Sequence, residues 1–347
     1  MNLRLDPWAA EYNTAFFAET NEADASTPDG TTIDAGIEQP ADAWQAARPQ
    51  QLALPPGWQD LFFLDGSRRV EARVLLEQDR QQLAFGVLGT YGVGAVSCCA
   101  SFSRRAEFVE ALEIARICAL SDGYTRVADD DALELAANAP VQIGNLKYRI
   151  VATDQKDADA VVKKLQDEMR HAEQNLAAKL AGEHPNALII CDGPRPINSK
   201  HDSVLGYVKT IHNIRINAQQ LAVVQRLEQG ERSPLYVVKT ARPEQQYFEW
   251  FVRLRDPRPW LYSLAGIVRL QAYAGPDPDG RLKDVINLAN WLTLTLPKLA
   301  SRQHQDPRAP QQLLPIRALE AELHRRMGNH AVVRRRITRY LSGRDSS

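Results

Sequence analysis

Cysteine is scarce, with four in 347 residues, at positions 98, 99, 118 and 191. None forms a CxxC pair and no Cys/His set has zinc-finger spacing, which excludes a disulfide-stapled module and a structural zinc domain. The four read as small buried thiols in a reducing cytosol. The seven histidines include no HExxH or related spacing, so none marks a metal site by itself. The glycines of GVLGTYGVG (86–94) lack the Gly-Lys-Ser/Thr ending of a P-loop and read as strand glycines. The amino terminus has no basic region followed by an apolar run, as a signal peptide requires. The one long uncharged run, 84–103, is interrupted by four Gly and several Ser, too broken for the roughly 20 apolar residues of a spanning helix. The expectation is a soluble, cytoplasmic protein with no membrane partner.

An excess of charge of one sign is also missing: 42 basic and 43 acidic side chains give a net charge of −1. The total hides a split. Residues 1–50 carry 2 basic and 9 acidic groups, whereas 301–347 carry 10 Arg and 4 acids. Only the carboxyl-terminal end favours a polyanion.

What is present is an ordinary globular balance, 44% apolar and 24% charged, with enough chain for a large core. Residues 1–50 read as an acidic arm, flexible or peripherally docked. Residues 51–320 read as the main domain and 321–347 as a basic helical tail. LFFLDGS (61–67), RRVEARVLLE (68–77) and QQLAFGVLGTYGV (81–93) read as a three-stranded meander. Helical stretches follow from 104 to about 138. Residues 155–182 read as a long helix with an apolar stripe at 161, 165, 169, 172, 176 and 180 and with Gly182 as its cap. ALIICDG (187–193) has the continuous apolar character of a central strand. More strands are expected at 203–211, 235–240, 246–254 and 261–273, and helices at 283–300 and 315–341.

Two segments share a pattern: an apolar strand ending in Asp, then Gly. They are LFFLDG with Asp65 and ALIICDG with Asp192. The intervening order of strands and helix lets the two strands lie side by side at the sheet centre, so that their carboxylates converge. On the intervening helix, at 100° per residue, Glu173 lies roughly 60° from the centre of the apolar stripe and Glu168 roughly 80° on the other side. Glu173 is the better placed. Two Asp and one Glu offer only oxygen ligands, suited to Mg²⁺ or Mn²⁺, and a cation relieves their mutual repulsion. The associated chemistry is in-line attack of water on a phosphodiester. Arg253, Arg255, Arg258 and Arg269 lie among Phe248, Trp250, Trp260 and Tyr262, a mixture that serves either single-stranded DNA or a core with a basic rim.

LDGSRR (64–69), MRHAE (169–173), IICDGP (189–194), VLGYVKT (204–210), YFEWFVRL (247–254) and GIVRLQ (266–271), taken in order, resemble the successive motifs of the NurA nuclease family. The resemblance implies an α/β, RNase H-like mixed central sheet flanked by helices, with extra helices and a C-terminal helical segment. It implies a Mn²⁺- or Mg²⁺-dependent deoxyribonuclease, an exonuclease or single-strand endonuclease in DNA end processing. It further implies a homodimer that partners a HerA-like hexameric translocase. Asp65, Glu173 and Asp192 match the catalytic and metal-binding positions; Lys209, Arg253, Arg269 and Arg317 are the corresponding DNA-contact candidates. The sequence departs from the family at Gln271, and at Ala309 and Arg317, where many members carry Tyr and His. His304, His324 or Gln312 are the candidates to replace that His. These departures keep a second reading open, an adaptor that has lost catalysis and docks on the HerA-like ring.

Overall fold

The computed structural model describes residues 2–5, 31–50, 58–78, 82–101, 105–109, 112–121, 140–209, 214–256, 263–302, 304–306 and 308–343. Its first strands are β1 (Asn2–Leu5), β2 (Thr32–Asp34), β3 (Asp60–Gln78), β4 (Gln82–Cys99), β5 (Glu107–Phe108), β6 (Glu113–Leu120), β7 (Val141–Ile143) and β8 (Leu146–Ala152). Helix α1 (Ala158–Glu183) leads to β9 (Ala187–Asp192) and β10 (Val204–Val208). Then come α2 (Ala218–Arg226), β11 (Tyr236–Lys239), β12 (Tyr247–Arg253), β13 (Ile267–Tyr273), α3 (Pro278–Leu299), α4 (Leu314–Met327) and α5 (His330–Ser342).

The main sheet runs β2-β11-β12-β13-β10-β9-β3-β4-β6-β8-β7. Its centre, β6-β4-β3-β9-β10, is an antiparallel meander to which β9 and β10 add parallel. This is the mixed α/β arrangement expected, with the two Asp-bearing strands adjacent. β9 is apolar from Ala187 to Cys191, as suits a strand covered by helices on both faces. Leu61, Phe63, Leu188 and Ile190 pack beneath α3 and α4. Phe62, Leu64, Ile189 and Cys191 pack beneath α1. The predicted stripe of α1 is the buried one, and Asp157 caps its start by accepting from the Ala160 N–H at 2.7 Å.

Three expectations are corrected. LFFLDGS and RRVEARVLLE are not two strands. β3 is continuous for 19 residues, and Gly66 pairs with Val93 of β4 rather than turning. A bulge between Val70 and Ala72 turns Glu71 inward, where it accepts from Thr90 Oγ1 at 2.7 Å, from Arg69 at 2.9 Å and from the Tyr148 hydroxyl. Arg69 also donates to the carbonyls of Met327 and Gly328, fixing the α4–α5 junction to β3. Second, residues 113–120, read as helix, are β6, the true third strand of the meander; 122–139 lie outside the described residues. Third, Gly182 lies within α1, whose cap is His184.

Residues 31–50 of the acidic segment are docked. β2 pairs with β11, Trp44 is buried, and Glu38 holds buried Arg232 through both carboxylate oxygens at 2.9 and 2.7 Å. A boundary at residue 320 falls inside α4, and α5 packs Val333, Ile337 and Leu341 against the β3 side of the core. Among the described residues, no helix is long and apolar enough to cross a membrane.

Candidate metal centre

Side chains alternate along β3, so Asp65, two residues on from Phe63, points to the α4 side of the sheet. Asp192 ends the neighbouring β9 on that same side, two residues on from Ile190. There the chain turns away at Gly193, whose φ of +105° favours glycine. α4 brings Glu320 over the pair. One carboxylate oxygen from each of Asp65, Asp192 and Glu320 lies within 4.8 Å of the others.

The cluster has the electrostatics of a cation site. Asp65 is buried, and its Oδ1 accepts from the Gly66 N–H at 2.8 Å. Its Oδ2 is buried with no hydrogen-bond partner. Burial, then the charge of Asp192, raises the Asp65 carboxyl well above the usual range. Burial raises Asp192 as well, opposed by the Lys209 ammonium. A buried carboxylate oxygen without a partner costs stability, and a hard divalent cation would supply the missing partner. The donor set is all oxygen, the ligand type of hard cations and not of a thiolate-seeking metal.

Cationic and amide groups surround the carboxylates. Lys209 donates to Asp192 Oδ2 and to Gln312 Oε1. Gln312, fully buried, passes the contact on by donating Nε2 to Glu320 Oε2 at 2.9 Å. Arg308 holds both oxygens of Glu320, at 2.9 and 2.6 Å. The loop carrying Arg308 and Gln312 is tied down by Ser301 N–H to the Gln312 carbonyl at 2.9 Å and by the Tyr207 hydroxyl to the Gln311 carbonyl at 2.6 Å. Of the three candidates for the missing histidine, Gln312 is the one that reaches the site; His304 and His324 are exposed.

Glu173 takes a different place from that expected. α1 covers the opposite face of the sheet, and Glu173 reaches the edge of the site beside Gly66. It lies outside the trio that shares 4.8 Å spacing, yet burial and then the charge of Asp192 push it up to about 8. Glu168 is on the surface, paired with Arg149 and Lys164. Gly66 makes the approach of Glu173 feasible, since a Cβ there would lie 2.5 Å from Glu173 Oε1 and 3.0 Å from Met169 Cγ. Gly66→Ala is therefore expected to cost about 1–3 kcal/mol in urea unfolding through overpacking and to displace Glu173 from the site.

Glu320 stands outside the set expected from the sequence, although its position on α4 carries a signal. Ile316, Leu319 and Leu323 form the buried stripe of α4, and Glu320 borders it as Glu173 borders that of α1.

Two of the DNA-contact candidates are corrected. Arg253 is buried and spends its guanidinium on the carbonyls of Leu227, Ala265, Gln225 and Ser263, at 2.6–2.9 Å. Arg269 is buried beside Glu249, at 3.6 Å. Both are core cations that organise polypeptide, so neither presents its charge to a strand of DNA. Phe248 and Trp250 are likewise core, while Arg258, Trp260 and Tyr262 fall outside the described residues. Gln271, the departure from the expected acid, donates to Glu249 Oε2 at 2.8 Å and accepts from the Arg195 N–H at 2.8 Å. Arg317 is half exposed, 3.8 Å from Asp306.

In comparisons with known proteins, no protein-family model matches the chain and no curated protein matches it.

Proposed function

We propose that this chain is a divalent-metal-dependent DNA nuclease. The observation that carries the reading is the convergence of Asp65 within β3, Asp192 at the end of the adjacent parallel strand β9 and Glu320 on α4, with Asp65 Oδ2 buried and lacking a hydrogen-bond donor. Asp65, Asp192 and Glu320 would hold the cation. When bound, Mn²⁺ or Mg²⁺ supplies charge stabilisation to the oxygens of a phosphodiester under attack by water.

The chain's own groups set up that chemistry. Lys209 orients Asp192 through its ammonium contact and favours the ionised form, against the burial that raises that carboxyl. Gln312 couples the orientation of Lys209 to that of Glu320, so the carboxylates on the sheet and on α4 hold a common geometry. The apolar residues beneath, Phe63, Ile190 and Leu319, give the cluster a rigid, low-dielectric floor. The ordered motif resemblance supports DNA as the substrate, a HerA-like hexameric translocase as the partner and a homodimeric state.

The test is degradation of end-labelled DNA by the purified protein with Mn²⁺, Mg²⁺ or EDTA, with and without the ring partner. Cleavage is expected with metal and absent with EDTA, and Asp192→Ala is expected to abolish it while the protein stays folded by circular dichroism. Ring binding without cleavage under any divalent metal would favour the adaptor reading instead.

A further inference from the structure

The three-carboxylate cluster is already partly covered by cations, and one of them, Arg308, is shared between two carboxylates and half exposed. Arg308 holds Glu320 with its terminal nitrogens, Nη1 to Oε1 at 2.9 Å and Nη2 to Oε2 at 2.6 Å. The inner part of the same residue is fixed elsewhere: its backbone N and Nε hold Asp306 Oδ1 at 2.8 and 3.2 Å, and Nη2 also approaches Asp306 Oδ2 at 3.3 Å. Asp306 is 6% exposed, whereas the Arg308 side chain is 51% exposed. The guanidinium is thus shared between the buried Asp306 carboxylate and Glu320, with half of the Arg308 side chain open to solvent.

Glu320 is also one of the three carboxylates placed to share an ion. A guanidinium on both of its oxygens and a divalent cation compete for the same charge, and the two positive groups repel each other at such separations. An Arg fork matches a phosphate as well as it matches a carboxylate. We propose that Arg308 is a substrate-binding residue held in reserve. It neutralises Glu320 while the site lacks a cation. Once Glu320 turns to the cation, Arg308 pivots on Asp306 and offers Nη1 and Nη2 to a phosphate of the bound strand. This rests on the reading of the site as a metal-dependent phosphodiesterase, and it gives this chain a phosphate ligand in place of Arg253 and Arg269, which are buried.

The experiment separates the two claims. Mn²⁺ affinity of the full chain is measured by calorimetry without DNA, for the wild type, Arg308→Ala and Arg308→Gln. The affinity of an oligonucleotide is measured in Ca²⁺. Removing the arginine is expected to tighten Mn²⁺ binding about tenfold and to weaken oligonucleotide binding about tenfold or more, the scale of one charge-assisted hydrogen bond. Arg308→Lys is expected to recover part of the DNA affinity. A residue that merely orients Glu320 gives the opposite sign, weaker Mn²⁺ binding on its removal; that result, or unchanged Mn²⁺ affinity in both variants, overturns the proposal. Should the wild type bind Mn²⁺ but cleave nothing, the nuclease reading fails, while the sign of the Mn²⁺ change still decides whether Arg308 competes with the cation.

Discussion

Asp65→Asn is expected to make the metal-free protein more stable and to leave it unable to degrade DNA with Mn²⁺. The native fold buries Asp65 with one oxygen lacking a partner, close to two further carboxylates. Asn keeps the oxygen that accepts from Gly66 and puts an N–H donor where the unpartnered oxygen stood, facing Asp192 and Glu320. Relieving that burial is worth about 1–3 kcal/mol, to be read as a higher melting temperature at neutral pH. The sign of the pH dependence follows from the raised carboxyl of the native state. Its stability is greatest when both native and unfolded chains are protonated and falls as pH rises through the native value. The advantage of the Asn variant should therefore shrink as pH drops toward the ordinary carboxylate range. Mn²⁺ should raise the melting temperature of the wild type, because a ligand that binds only the folded state stabilises it by mass action, and should do so far less for Asp65→Asn. A variant no more stable than the wild type, and still stabilised by Mn²⁺, would mean that Asp65 is not a ligand.

Glu320→Gln should weaken Mn²⁺ binding by at least about a hundredfold, the upper range for disturbing even the outer partners of a metal site. Glu173→Gln should leave most of the affinity in place, since Glu173 reaches the site from the other face of the sheet and lies outside the trio of convergent oxygens. The same calorimetric titration decides both. If Glu173→Gln proves the damaging change and Glu320→Gln the mild one, the ligand set is the one read from the sequence and not the one the fold assembles. Loss of the Arg308 contact in Glu320→Gln acts in the opposite direction on cation affinity, so a large net weakening is a stringent result.

How much of this was legible in the sequence depended on whether a residue's fate was set locally. The strands bearing Asp65 and Asp192, their adjacency and the stripe of α1 follow from apolar runs and helical periodicity, and they hold. Residues 113–120, EIARICAL, carry the composition of a helix; β4 and β8 on either side impose the strand through pairing, a case of tertiary context overriding local preference. Asp65-Gly66 carries a turn signal, yet the chain runs straight through because Gly66 has a ladder partner in Val93 and leaves room for Glu173. The burial of Arg253 and Arg269 was illegible for another reason. Arg is rarely core, and what buries Arg253 is a set of backbone carbonyls from separate segments, which no residue letters report. Glu320 required knowing which helix covers which face.

The uninterrupted run of β3 has a mechanical meaning. One rod carries Asp65 near its start and, four residues farther along, Arg69, which grips the carbonyls that end α4. The carboxylate on the sheet and the helix that supplies its counterpart are thereby bolted to a common beam. That shared attachment to one strand limits how far flexing of the sheet can separate Asp65 from the helix that carries Glu320.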